Sequence, residues 1–536
     1  MKKEDAGIAN KNTKGSKWLL PITLLIVVII AIIISFTILH NNTKNSGEVQ
    51  SEIEQSEYRI SGNSLEPFDL YFLQLENEKS NKVYSPLSIK YALAMLNEGA
   101  TGTSKAQIEN VLGKYSAKKY TNSNNMSFAN AMFIKDTYDK SIKTDYKNTL
   151  MDKFNAEVKT DSFKNADAVN SWVSDKTLGL IDNLFDDNIS DNKFLLINAL
   201  GIDMEWENKF FDCGYPMCAE GIYYSYKHED FSWGVALFVK KGKFKDVDED
   251  IAGIQIGASF NKYDIVNVLG EENIRKTVKQ AFEKYLDEND EKISDYFYRE
   301  EVEGLTDEQL MKKYLDNYIE EINSNYKKED KSTDFSFYTD DNVKVFAKDL
   351  KEYNGTTLQY VGIMPIQEDL DNYVSKTTAN DINNIISNLK ELKLESFKDG
   401  VVTKITGFIP KFKFDYSLNL KEDLNKLGIT NVFNKNNAEL TNISSDKSLF
   451  IGKASHKANI EFTQDGIKAS AATEIGGTGA GGRFDYKYDI PVEEIDLTFD
   501  KPYMFIIRDK NSGEVWFTGT VFNPLLYSED NTAVDF

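Results

Sequence analysis

Three histidines, two cysteines and one glycine run are the places in this chain where side chains could do chemistry. His40, His228 and His456 stand far apart, and no G-x-S-x-G or H-E-x-x-H accompanies them, so neither a nucleophile elbow nor a zinc-protease helix can be assembled. Cys213 and Cys218 bound "CGYPMC". Two thiolates with no histidine nearby make a poor zinc site, and outside a reducing compartment a disulfide closing this short turn is the expectation. "GTGAGG", Gly477 to Gly482, satisfies the G-x-G-x-x-G spacing of a dinucleotide turn. The "RFDYKYDIP" that follows cannot open the helix whose N-terminus would hold a pyrophosphate, so no nucleotide is expected. These residues predict a protein that is not an enzyme and carries neither cofactor nor metal.

The same glycine run ends a segment with a different logic, "GIKASAATEIGGTGAGGR". One alternating face reads Ile467, Ala469, Ala471, Thr473, Ile475 and Gly477. The other reads Lys468, Ser470, Ala472, Glu474 and Gly476. The first is compact and uncharged, the second carries the charges, and no proline removes an amide donor. Such a strand could slide between two others. By pattern alone it could equally be an edge strand with a tail.

Residues of this kind need a scaffold, and the composition supplies one: 41% hydrophobic residues over 536 positions suffice for a large core. The formal charge of −22 and the lack of a basic stripe beyond the first residues exclude nucleic acid as a partner. Trp18 to Leu39 is an uncharged apolar run preceded by Lys2, Lys3, Lys11, Lys14 and Lys17. Its length suits a transmembrane helix, and the lysines keep residues 1–17 in the cytoplasm. A cleaved signal peptide would need a shorter core and a small-x-small site, which "SFTILHNNTKN" lacks. The expectation is a single-pass cell-membrane protein, with residues 40–61 as a polar tether and an extracellular folded part from Gly62.

Helices are predicted at "LEPFDLYFLQL", after the Ser-Pro of "YSPLSIKYALAML", and over "AVNSWVSDKTLGLIDNLF". Strands are predicted at "FANAMFIK" and at "KFLLINALGIDMEW", whose continuous apolar run suits burial on both faces. The succession is α+β. Residues 213–331 are acidic, tyrosine-rich and largely helical, with a capping box from Thr306 to Gln309, and read as an inserted subdomain.

Several blocks together resemble the serpins: "NKVYSPLSIKYALAMLNEGATGTSKAQI", "VNSWVSDKTLGLI", "LLINALGIDMEWENKF", "FIPKFKFDYSLNLKEDLNKLGITNVF", "SHKANIEFTQDGIKASAAT" and "LTFDKPYMFIIRDKNSGEVWFTGTVFNP", in family order. The resemblance implies a serpin-like domain over 62–526, interrupted by 213–331, with about three β-sheets, surrounding helices and an exposed reactive loop. It implies a hinge at Gly466, Ile467, Ala469, Ala471, Ala472 and Thr473, and a scissile bond between Ala480 and Gly481. The connection before "FDKPY" is longer than the family's, which makes Arg483 a second candidate. Ser85, Ser88, Asn198 and His456 match the family's polar cluster beneath the central sheet, and Trp206 the tryptophan where strand insertion starts. Gln464, Ile467 and Tyr503 replace the usual glutamate, threonine and phenylalanine, and none puts a charge on the inward face.

The implied activity is suicide inhibition of an extracellular serine or cysteine protease, which becomes the expected partner. The alternative is a non-inhibitory surface-binding or adhesion protein whose function lies in the insertion.

Overall fold

The computed structural model describes residues 55–76, 78–185, 188–207, 238–258, 269–325, 335–391, 402–467, 484 and 492–528. The chain divides into Met1–Glu54, which lies outside the described residues, and Gln55–Phe536, which holds everything below. The apolar run at 18–39, both cysteines, and Ala469 to Arg483 are likewise outside them. Among the described residues no helix is long and apolar enough to cross a membrane.

Strands from the beginning, middle and end of the domain build a six-stranded antiparallel sheet in the order β1-β17-β16-β10-β9-β8. Its strands are β1 (Lys82–Tyr84), β8 (Ser336–Thr339), β9 (Val343–Asp349), β10 (Leu358–Pro365), β16 (Tyr503–Asp509) and β17 (Val515–Val521). Every residue of β10 and β17 is buried, as their continuous apolar sequences require. A second sheet, ordered β15-β11-β7-β6, joins β6 (Phe238–Phe244), β7 (Val247–Ala258), β11 (Val402–Pro410) and β15 (Val492–Thr498).

The remaining strands form two ladders that belong to one split sheet. One is β3-β2-β4, from β2 (Met126–Lys135), β3 (Glu157–Asp161) and β4 (Phe194–Ile202). The other is β12-β13-β14-β5, from β5 (Met204–Glu205), β12 (Phe412–Asn419), β13 (Ser455–Phe462) and β14 (Gly466–Ile467). Only Asp203 separates β4 from β5, so the halves are joined at one end. The described strands thus pair as four sheets, two of them linked through that join.

Seven helices matter to the site: α1 (Phe68–Leu75), α2 (Pro86–Gly99), α3 (Gly102–Leu112), α4 (Thr144–Phe154), α5 (Asp167–Lys176), α6 (Glu271–Asn289) and α7 (Asp307–Asn325). Helix α2 starts where the sequence puts it. Ser85 caps it by accepting the Ser88 amide at 3.1 Å, and Pro86 fills the first turn, where its missing N–H is no loss. Trp172 and Val173 of α5 pack with Leu195, Ile197 and Ala199 of β4, while Phe194, Leu200 and Ile202 face the main core. Strand β4 is therefore apolar on both sides.

Two boundaries differ from the sequence reading. The folded part begins before Gly62. Ile60 is buried, with its amide and carbonyl bonded to Val111 and Lys114, and Arg59 donates to the Glu109 and Asn110 carbonyls at the end of α3. The stretch read as an insertion also divides. β6 and β7 pair with each other and β7 with β11, burying Ile251, Ile254 and Ile256 in the main core, so 238–258 belongs to the domain proper. A separate apolar core lies in the α6–α7 hairpin: Ile274, Val278 and Phe282 against Leu310, Leu315 and Ile319. The Thr306 amide donates to Gln309 Oε1 at 2.9 Å and the Gln309 amide to Thr306 Oγ1 at 3.3 Å, forming the capping box that opens α7.

Candidate functional site

The site is the split itself. β4 pairs along one edge with β2, from Phe194 opposite Ile134 to Ile202 opposite Met126. β13 pairs along one edge with β12, from Phe412 opposite Phe462 to Asn419 opposite Ser455. Their other edges face each other, and among the described residues they carry one rung, Phe462 opposite Ile467. A cavity of about 120 Å³ bridges them, lined by Ser85, Asn198, Leu200, His456 and Ala458 among others. Farther along the same seam Ile202, Ile460, Ile467 and Phe517 line a smaller void. A buried strand edge leaves amides and carbonyls without ladder partners, a state that one added strand would satisfy on both sides at once.

The upper end of the seam is already filled. After β13 the chain turns at Thr463, whose side-chain oxygen accepts from the amides of Asp465 and Gly466 and donates to the Gly466 carbonyl. β14 then wedges between β13 and β5, with Gly466 opposite Glu205 and Ile467 opposite both Met204 and Phe462. Glycine is required at 466 by close approach, since a Cβ there would lie 2.2 Å from the Met204 carbonyl oxygen. Trp206 closes this end: its ring is buried against Tyr360 and Phe462, its indole N–H donates to the Thr463 carbonyl, and its amide donates to the Asp465 carbonyl.

At the lower end the Ser85 amide donates to His456 Nε2 at 2.9 Å, tying the start of α2 to β13. The accepting Nε2 fixes a neutral imidazole with its proton on Nδ1, and burial lowers its pKa to about 4. Asn198 lines the same cavity, but its amide donates to Asn130 Oδ1 at 2.8 Å, and Asn130 in turn donates to the carbonyl of Phe154 that ends α4. Asn198 Oδ1 is buried and has no hydrogen-bond partner among the described residues. The predicted cluster thus comes together in space, with Asn198 linked to a different partner. Asn130 and Thr463 were missed. Asn130 had a signal, as the one amide in the otherwise apolar middle of "FANAMFIK".

Among the described residues no group of His, Cys, Asp or Glu could hold a metal ion. The geometry is a cleft between the edges of β4 and β13, with an apolar floor and one polar end at Ser85, Asn198 and His456.

A model of the family described as Serpin (serine protease inhibitor) matches residues 68–213 and 328–524. Leukocyte elastase inhibitor A of Mus musculus is 24% identical over 488 residues, covering 87% of this chain and 99% of that protein. Serpin B4 of Homo sapiens is 22% identical over 495 residues, covering 85% and 97%. The crystal structure of tengpin, a thermophilic serpin, in its native state superposes with a TM-score of 0.55 at 20% identity, covering 85% of this chain and 92% of that one. This last likeness concerns the fold. The family model takes in both walls of the seam, β4 and β13, and its two matched stretches fill more than half of the sequence: the chain belongs to the serpin family.

Proposed function

We propose that this serpin is a suicide-type inhibitor of an extracellular serine or cysteine protease and that residues 466–480 supply the strand missing from the seam. The observation that carries this reading is β14, which already runs antiparallel to both β13 and β5. Continuing its two registers sets Ala469 between Ile460 and Ile202, Ala471 between Ala458 and Leu200, and Thr473 between His456 and Asn198. The small face would meet the apolar floor, and the Thr473 hydroxyl would come beside Asn198 Oδ1, a buried oxygen with no donor among the described residues.

The chemistry belongs to the protease. Its serine or cysteine attacks the Ala480 carbonyl, the Gly481 amine leaves, and the acyl-enzyme bond now ties the protease to a freed strand. Insertion of some 14 residues at about 0.5–1.5 kcal/mol net per hydrogen bond yields roughly 7–20 kcal/mol. A protease domain is stable by about 5–15 kcal/mol, so the captured enzyme can be distorted before water reaches the ester. Ala480, together with relatives named as elastase inhibitors, supports a target that accepts small side chains; Arg483 would direct a trypsin-like one. Trp18–Leu39 anchors the inhibitor at the cell surface, facing outward.

The test is incubation with elastase-like, subtilisin-like and trypsin-like proteases followed by denaturing electrophoresis. A complex that survives denaturation, and a rise in heat stability on nicking, are expected. If the best cleaver forms no complex and nicking leaves stability unchanged, the strand does not insert. The second reading, a binding protein acting through its insertion, then takes over. It is favoured by the self-contained core of the α6–α7 hairpin.

A further inference from the structure

The core of the α6–α7 hairpin admits one described residue from elsewhere in the chain, Phe484. Its ring lies 4.9 Å from that of Phe282 and 4.9 Å from that of Tyr285. Phe282 is fully buried and stacks on Tyr314 at 4.1 Å, with Tyr296 edge-on at 4.9 Å. The hairpin therefore has an aromatic socket, and its occupant is the residue next to Arg483 in the sequence. We infer that the inserted hairpin is a positioning element for the reactive loop, holding through Phe484 the chain on the leaving side of the scissile bond.

The argument is one of connectivity. On the proximal side the loop departs from Ile467 in β14; on the distal side Phe484 is a fixed point ahead of β15, which starts at Val492. If the intact loop is to enter the seam, it must draw the chain behind Ala480 with it and so unseat Phe484. Cleavage at Ala480 or Arg483 removes that constraint, because the proximal segment then moves alone. The hairpin thereby makes insertion conditional on cleavage. This consequence rests on the strand-insertion reading above; the seating of Phe484 does not.

The experiment uses the full chain and the variants Phe484→Ala, Tyr285→Ala, their combination, and Phe484→Tyr. Hydrogen–deuterium exchange in peptides from α6 and α7 reports the seating. It should rise about fivefold or more in Phe484→Ala, as expected for loss of aromatic pairing, return toward the parent in Phe484→Tyr, and rise no further in the double variant than in the stronger single one. Uncleaved protein held at elevated temperature should convert to a heat-resistant form about fivefold or more faster in Phe484→Ala. Unchanged exchange in Phe484→Ala and Tyr285→Ala overturns the inference. Faster exchange with no change in conversion rate overturns the positioning role. If the nicked parent gains no heat stability, the insertion mechanism itself is refuted, and the exchange data alone decide whether Phe484 is seated.

Discussion

The backbone amide of Ser85 and the Nε2 of His456 meet at 2.9 Å and join the first turn of α2 to β13, one wall of the seam. The bond exists only while the imidazole is neutral. Because burial lowers the folded pKa to about 4 from 6.5, the unfolded chain binds the proton more readily between those values. The His456 contribution is thus fully present above about pH 6.5 and is lost as pH falls toward 4. Urea midpoints should fall between pH 7.5 and pH 5 by an amount equivalent to about 2 kcal/mol from this group. His456→Gln should be less stable at pH 7.5 and show a shallower dependence over that interval. An equal slope in both proteins would assign the acid sensitivity elsewhere.

Much of this seam is legible in the sequence, and the reasons for the exceptions are physical. β4 could be found because a strand covered on both sides, by α5 and by the main core, has to be apolar on both faces, and only Asn198 interrupts its run. Helix α2 declares itself through Ser85 and Pro86. β6 and β7 are hidden because they carry the exposed charges of Lys241, Lys243, Asp248 and Glu249, so the stretch looks like part of an acidic, polar insertion. Only the spacing of Ile254 and Ile256 betrays a half-buried strand. Helix α5 is shorter than its periodicity suggests, because Leu178 and Gly179 take left-handed backbone conformations that no helix can continue through. The start of the domain depends on Tyr58 and Ile60, isolated apolar residues in a polar stretch whose value appears only when α1 and α3 are beside them.

Gly466 is predicted to tolerate no side chain. In Gly466→Ala the new methyl meets the Met204 carbonyl oxygen, backbone that cannot swing aside, so β14 must lift off β5. A loss of about 1–3 kcal/mol is expected from overpacking, visible as a lower urea midpoint with unchanged slope. Increased exchange at the amides of Ile467 and Trp206 should accompany it. A variant with parental stability and exchange would show that the β14 rungs are dispensable.

The α6–α7 hairpin should be removable, since its core shares no residue with that of the main domain. Replacing residues 262–332 with a Gly/Ser linker should leave a soluble protein that unfolds cooperatively. Replacing 213–331, which also deletes β6 and β7, should not, because Ile251, Ile254 and Ile256 would be lost from the main core. Equal behaviour of the two deletions would place the boundary wrongly.

The proposed anchor at Trp18–Leu39 can be tested through topology. Protease added to intact cells should release a fragment that begins before Tyr58, because Tyr58 and Ile60 are held in the domain. Intact chain in the medium with a new N-terminus near His40 would instead mean that Trp18–Leu39 is cleaved away.

Ala471→Arg separates cleavage from inhibition. In the proposed inserted strand, the register continued from β14 would bring residue 471 opposite Ala458 and Leu200, both buried, so an arginine there would either bring an unpaired charge against the floor, at several kcal/mol, or stop the strand short of it. The proposed scissile bond after Ala480 lies beyond that point in the sequence, so its attack by the protease should be unaffected. The variant should therefore be cut at the parental rate, release active protease, accumulate no covalent complex and gain little heat stability on nicking. Ala472→Arg, one residue on, points to the opposite face and is the control. It should keep more of the inhibition than Ala471→Arg, because a strand's neighbouring side chains alternate between faces. Should the two substitutions be equally harmless, insertion does not extend as far as residue 471; should they be equally harmful, the register read from Ile467 is wrong.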